Sequence, residues 1–329
     1  MIKLKLFIQK LLKRLKATVS IGIITHKNPD GDGLPAALML HHILKRIDIE
    51  SKIILEENPP PLYNYLNASE HTEVYNKNMS FQTVILLDCH EKERVGDCSP
   101  LIESADYIFT IDHHRQGKLI DNAINFIHID YACVGIILYK MFRDKCDKFK
   151  DSDKEHIAKC IYTTILNDTN NFMNTNTDAL TYKICAELIN WQLKPGEIAK
   201  KFLLNKTPLQ LKFIGESLAT IKTYYNNKIV FLQTTIAMLS RNCIKRKDIP
   251  KIVKYLKGVK GVEAVVLFHE LKENEYRLSL RALGDVNVNK IAIKYDGGGH
   301  KKASGCSIKG DFKQIKDEIL QELIKQLDE

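Results

Sequence analysis

Short runs of β-branched and apolar residues that stop at an acid or an imidazole constrain this chain more than any other feature. VSIGIITH (19–26), KIIL (52–55), TVILLD (83–88), YIFTID (107–112) and INFIHI (124–129) lack the alternation of a strand with one wet face. Strands that read as apolar throughout are covered on both faces, as in a parallel sheet between layers of helices. Helical patterns intervene around residues 34–47, 134–143 and 154–166. That βαβ rhythm predicts a doubly wound, mainly parallel α/β domain.

From about residue 178 to 224 the pattern reads as all helix: DALTYKICAELIN, KPGEIAKKFL and TPLQLKFIGESLATIKTYY. Thr207 and Pro208 supply an N-cap and a first-turn proline. Beyond them KIVFLQTT, VEAVVLFHEL and EYRLSLRAL read as strands, and FKQIKDEILQELIKQL as a closing helix. A chain of 329 residues is long enough for two domains. The expected layout is a catalytic domain over 1–190, a helical linker over 191–225 and a smaller α+β domain over 226–329. The active site is expected in the cleft between the two domains.

The chemistry-bearing residues sit where the strands stop. His26, Asp30 and Asp32 follow the first strand, in THKNPDGDG; Asp88 ends the third; Asp112, His113 and His114 end the fourth. Asp168 follows a helical pattern, in ILNDTNNF. In a parallel sheet these strand ends share one edge, the usual place for a ligand. Five carboxylates in one crevice repel one another unless cations lie between them. Oxygen donors with a few imidazoles and no thiolate favour manganese or magnesium over zinc. Two such ions would clamp a displacement at phosphorus and activate a water.

The second domain carries a different signal, YDGGGHKKASG. Gly297, Gly298 and Gly299 allow backbone N–H groups to approach an anion, and His300 and Lys301 follow. Arg281 lies within an apolar strand pattern, where burial calls for an anionic partner.

Composition closes off other classes. With 44% hydrophobic and 27% charged residues the chain is globular rather than disordered. A net charge of +9 suits an anionic ligand such as a nucleotide. Eight scattered cysteines form no C-x-x-C pair, which argues for reduced thiols and a cytoplasmic location. The basic N-terminus lacks a signal-peptide core. Leu4, Ile8, Leu11 and Leu15 share one helical face, expected to dock on the first domain. No run of about 18 apolar residues marks a membrane span.

The segments HKNPDGDG, LLDCHEKERVG, IDHH, ILNDTNNF and GGGHKKASG together resemble the DHH phosphoesterases with a DHH-associated C-terminal domain. The resemblance runs from around Thr18 to the end, and its nearest subgroup is the bacterial nanoRNases. It implies that His26 and Asp30 hold one metal, that Asp32, His113 and Asp168 hold a second, and that Asp88 bridges them. Asp112 would orient His113, and His114 would face the scissile phosphate. Arg281, Gly297, Gly298, Gly299 and His300 would hold the far end of the substrate. The implied activity is a manganese-dependent hydrolase, with magnesium as the alternative. It would degrade very short RNA oligonucleotides or linear dinucleotides to nucleoside 5′-monophosphates. Alternatives are a 3′-phosphatase on adenosine 3′,5′-bisphosphate, a single-strand exonuclease and a catalytically inactive nucleotide-binding module. Related enzymes are often homodimers. The chain departs from the family pattern at Leu34-Pro35-Ala36, at Ala132-Cys133-Val134 and at Asn170.

Overall fold

A computed structural model describes residues 2–115, 117–246, 249–250, 252–256 and 258–328. The chain divides into two compact units, Met1–Asn205 and Lys206–Glu329. The division falls inside the stretch expected to be a linker.

The first unit runs α1 (Ile2–Lys16), β1 (Ile21–Thr25), α2 (Gly33–Lys45), β2 (Lys52–Leu55), α3 (Ala68–His71), β3 (Thr72–Val74), β4 (Thr83–Leu87), α4 (Ser99–Glu103), β5 (Tyr107–Asp112) and β6 (Ala123–Ile127). It ends with α5 (Val134–Cys146), α6 (Asp151–Asp168), α7 (Ala179–Asn190) and α8 (Pro195–Leu203). The six strands form one sheet in the order β3-β2-β1-β4-β5-β6, parallel throughout. Each central strand feeds two cores. Ile23, Ile53, Ile85 and Phe109 enter one, with buried residues of α2, α5 and α6. Their neighbours Ile24, Ile54, Leu86 and Ile108 enter another, with Val95, Leu101 and Ile102. Side chains alternate across a sheet, so burial on both faces produces the continuous apolar runs of the sequence.

The expected N-terminal helix docks as foreseen. Leu11 and Leu15 are fully buried, and the Phe7 ring meets Phe109 and Phe126 at 6.0 and 5.1 Å. Among the described residues no helix is long and apolar enough to cross a membrane.

The second unit runs α9 (Pro208–Ala219), β7 (Lys222–Tyr224), β8 (Ile229–Thr234), α10 (Ile236–Arg241), β9 (Ala264–Lys272), β10 (Glu275–Ala282), α11 (Val288–Ile293), β11 (Gly298–His300), β12 (Ala303–Lys309) and α12 (Phe312–Asp328). Its sheet has the order β11-β12-β10-β9-β8-β7. It is mixed, with β8 and β9 parallel and the other pairs antiparallel. Thr207 and Gln210 close a capping box on α9, which the sequence signalled.

Helix was expected to continue to residue 224, and here the structure differs. Residues 222–224 form β7, with Lys222 opposite Phe231 and Tyr224 opposite Ile229. Tyr225, Asn226 and Asn227 turn the chain at φ of 49°, 53° and 63°. Asparagine tolerates that left-handed backbone, and pairing with β8 overrides the local pattern. The glycine segment also differs from a loop. Gly298–His300 forms β11, paired with β12. A Cβ at Gly297 would lie 2.5 Å from the Cys306 Cβ, and one at Gly299, where φ is 137°, 2.5 Å from the Ala303 carbonyl. These two glycines admit the partner strand, whereas a Cβ at Gly298 would meet nothing.

Candidate metal centre and active site

Strand order in the first sheet reverses between β1 and β4. At such a reversal the connections leave in opposite directions and open a crevice beyond the carboxyl ends. His26, Asp30 and Asp32 enter it on the turn from β1 into α2. Oδ1 of Asp30 accepts the Asp32 and Gly33 N–H groups at 2.9 and 3.4 Å. The carboxylate that faces His26 thus also serves the start of α2. Asp32, fully buried, accepts the N–H groups of Val134 at 2.8 Å and Gly135 at 3.3 Å. Those are the first residues of α5, whose own N-cap, Cys133, offers no side-chain hydrogen bond. A helix N-terminus is a favourable seat for a carboxylate.

Asp88 leaves β4 in the left-handed region, at φ 60°, and its N–H donates to Ile111 O of β5 at 3.1 Å. This aims its two oxygens in different directions. Oδ2 is 3.4 Å from His26 Nε2; Oδ1 is 3.6 Å from His113 Nε2 and 3.5 Å from His114 Nδ1. His113 Nε2 also lies 3.1 Å from Asp168 Oδ2 and 3.6 Å from Asp32 Oδ2. Two neighbouring donor sets result: His26, Asp30 and Asp88, and Asp32, His113 and Asp168, each with its atoms within 4.8 Å of one another. A third set, Asp88, Asp112, His113 and His114, touches both.

The donor set fits divalent cations. Asp88 Oδ1 and His113 Nε2 are buried, and among the described residues neither has a partner in hydrogen-bond geometry, only the charge contacts above, an uncommon condition that a bound ion would relieve. His26 Nδ1 lies 2.8 Å from the Lys27 carbonyl. A carbonyl can only accept, so Nδ1 carries a proton and Nε2 is the nitrogen turned to the carboxylates, where it can give up its own proton to take an ion.

Without an ion the charges strain against each other. Burial, then the charges of Asp168 and Asp88, pushes the Asp32 carboxyl well above its usual range. Burial and the Asp88 charge raise Asp168 despite the His113 ring beside it. Burial alone would also raise Asp30, but His26 and the Asp32 N–H hold it well below the usual range. Burial opposes charging of the two imidazoles. The neighbouring carboxylates Asp30 and Asp88 nevertheless raise His26 to about 10, and those of Asp168 and Asp88 raise His113 to about 11.

Asp112 plays another part. It is fully buried, and its Oδ1 accepts the His113 N–H at 2.7 Å, the His114 N–H at 3.2 Å and His114 Nδ1 at 2.8 Å. Burial would raise this carboxyl, but His114 and His90 hold it well below the usual range. His114 Nε2 remains free to meet a ligand.

Two neighbours escaped the sequence analysis. Asn167 Nδ2 donates to Asp30 Oδ2 at 3.2 Å and to Asp168 Oδ1 at 2.8 Å, tying together a carboxylate of each donor set. Its place beside Asp168 was the available signal. His90, two residues beyond Asp88, meets Asp112 Oδ2 at 2.5 Å.

In the second unit, β-pairing sets Arg281 opposite Ala303 and Ala303 opposite His300. Directly opposed residues share a sheet face, so the two basic side chains flank a small alanine across three strands. Arg281 is half-buried, and Nη1 donates to the Leu280 carbonyl at 2.8 Å. Burial lowers its pKa. A desolvated guanidinium beside an open alanine is suited to an anion.

The family model described as "DHH family, N-terminal domain" matches residues 20–165, and the one described as "DHHA1 domain" matches residues 226–329. A Thermus thermophilus protein named "Bifunctional oligoribonuclease and PAP phosphatase NrnA" is 26% identical over 309 residues, 93% of this chain and 90% of its own length. A Bacillus subtilis protein of the same name is 26% identical over 301 residues, 91% and 92% of the two chains. The crystal structure of an exopolyphosphatase-related protein from Bacteroides fragilis superposes with a TM-score of 0.87 at 23% identity. It covers 98% of this chain and 96% of its own, a likeness of fold.

Proposed function

This chain belongs to the DHH family and carries a DHHA1 domain, and from that premise we propose that it is a divalent-metal-dependent phosphodiesterase. Its substrates are RNA oligonucleotides a few residues long, and its products nucleoside 5′-monophosphates. One observation carries the reading: Asp88 directs one oxygen to each of two donor sets that between them hold four carboxylates and two imidazoles. Four carboxylates match the charge of two divalent ions, and oxygen-rich donors select manganese or magnesium. His26, Asp30 and Asp88 would hold one ion, and Asp32, His113, Asp168 and Asp88 the other. When bound, such ions neutralise the carboxylates and withdraw charge from phosphoryl oxygens. His114 would face the phosphate with Nε2, its ring held by Asp112 through Nδ1. The second unit contributes Arg281 and His300 to the part of the substrate remote from the scissile bond.

The name shared by the curated relatives supports a second activity on the same residues, removal of the 3′-phosphate from adenosine 3′,5′-bisphosphate. One assay tests both. Purified protein with Mn²⁺ or Mg²⁺ is given a dinucleotide, a five-nucleotide RNA, adenosine 3′,5′-bisphosphate and pyrophosphate. Release of monophosphates from the RNA is expected. Cleavage of pyrophosphate alone would overturn the reading.

A further inference from the structure

We infer that His90 is a positioning residue for the reaction, acting through Asp112 to hold His114 in a single tautomer and orientation. The inference rests on the function proposed above. No part of the assigned ligand set includes His90. It is nevertheless almost wholly enclosed, 3% exposed, and packed against the edge of the site.

The two oxygens of Asp112 have unequal company. Oδ1 takes three donors, the N–H groups of His113 and His114 and the His114 ring. Among the described residues, Oδ2 has His90 Nδ1 alone, at 2.5 Å. A carboxylate that receives backbone N–H groups is an acceptor, so both imidazoles present a protonated Nδ1 to it. In His114 this leaves the Nε2 lone pair outward. Asp112 is 0% exposed, so water does not replace a lost donor at Oδ2. Without His90 the carboxylate keeps an unpaired buried anionic oxygen, takes up a proton, or rotates towards another donor. Each outcome loosens the bond to His114. The chain also secures His90 from behind. Gly117, at φ 142°, lies so close that a Cβ there would collide with His90 Nε2. Next to it, the Lys118 N–H donates to Glu91 Oε1 at 3.2 Å.

The test compares His90→Leu, of similar volume but with no donor, with His90→Asn, whose amide nitrogen can occupy the Nδ1 position. The wild-type assay comes first. If wild-type protein with Mn²⁺ cleaves no short RNA, the proposed function falls, and NMR still tests the inference. In metal-free protein labelled with ¹⁵N-histidine, at a pH where the ring is neutral, His114 is expected to show one Nδ1–H tautomer in wild type and in His90→Asn. A tautomer mixture is expected in His90→Leu. With active wild type, His90→Leu should lower kcat on a dinucleotide about 10- to 100-fold. KM and Mn²⁺ affinity should stay within about 2- to 3-fold, and His90→Asn should recover most of kcat. Thermal melting identifies a variant that fails to fold; His90→Asn then carries the comparison. A single His114 tautomer in His90→Leu, or wild-type kcat in that variant, would overturn the inference. So would a loss of kcat matched by an equal loss of Mn²⁺ affinity.

Discussion

Asp88 is the side chain at which the two candidate donor sets meet. Its left-handed backbone and its hydrogen bond to β5 turn one oxygen towards His26 and the other towards His113 and His114. Asp88→Ala is therefore expected to weaken both ion sites and to lower kcat more than about 10³-fold, about 4 kcal/mol of transition-state stabilisation. Near-normal turnover with saturating Mn²⁺ would rule out the shared role. The imidazoles give a second expectation. His26 and His113 titrate in the metal-free protein at about 10 and about 11, above the ordinary value for an unfolded histidine. Between about pH 6.5 and 10 the folded protein holds more protons than the unfolded chain. Their contribution to stability is thus complete below about pH 6.5 and is lost as pH rises through the folded values. A metal ligand must be deprotonated, so Mn²⁺ uptake at pH 7.5 is expected to release about two protons or more, and affinity to rise with pH. Calorimetry in buffers of different ionisation heat counts those protons. Release of fewer than about one would contradict the assignment.

At the scale of elements, the site depends on how closely α2 can begin behind β1. A Cβ at Gly33 would collide with the Thr25 hydroxyl and lie 3.4 Å from Asp88 Oδ2. Thr25 Oγ1 is itself buried without a hydrogen-bond partner among the described residues. Gly33→Ala should push α2 away from β1 and displace Asp32 from the α5 N-terminus. The expected cost is about 1–3 kcal/mol in urea unfolding, together with weaker Mn²⁺ binding. Removing the obstacle with Thr25→Ala should recover part of both losses in the double variant. A strictly additive double variant would mean that the collision is not the cause. The departure Leu34-Pro35-Ala36 becomes intelligible at the same scale. All three residues are buried, and Pro35 lies in the first turn of α2, where a missing N–H removes no helical bond.

At the scale of the whole molecule, each unit has its own sheet and its own buried cores. The proposed metal ligands belong to the first, and the basic row of Arg281 and His300 to the second. On the proposed function, the first unit holds the ions and the basic residues of the second bind an anionic part of the substrate. His300→Ala should then lower kcat/KM for two- to four-nucleotide RNA strongly and leave Mn²⁺ affinity unchanged. A small activated ester such as bis-p-nitrophenyl phosphate, with no remote portion to hold, should lose far less. Equal losses on both substrates would place the effect of His300 in folding or at the metal centre instead.

Apolar runs and the residues that end them were sufficient to read the parallel sheet, because burial on both faces leaves a one-dimensional signature. The same logic placed His26, Asp30, Asp32, Asp88 and His113 at one edge, since strand ends in a parallel sheet share a side. Several features had no such signature. Lys222–Tyr224 became a strand through pairing with β8, a contact that no local period encodes. Gly298–His300 became an edge strand because Gly297 and Gly299 admit β12, and a run of glycines does not reveal what it admits. Asn167 and His90 work through side chains brought together by the fold: Asn167 reaches Asp30 from 137 positions away, and His90 reaches Asp112 from 22. The residue types alone determined which chemistry this protein can perform, because few side chains can hold divalent cations. Only the tertiary structure decided which atoms face one another, because hydrogen bonds and charges act through space over a few ångströms and are indifferent to distance along the chain.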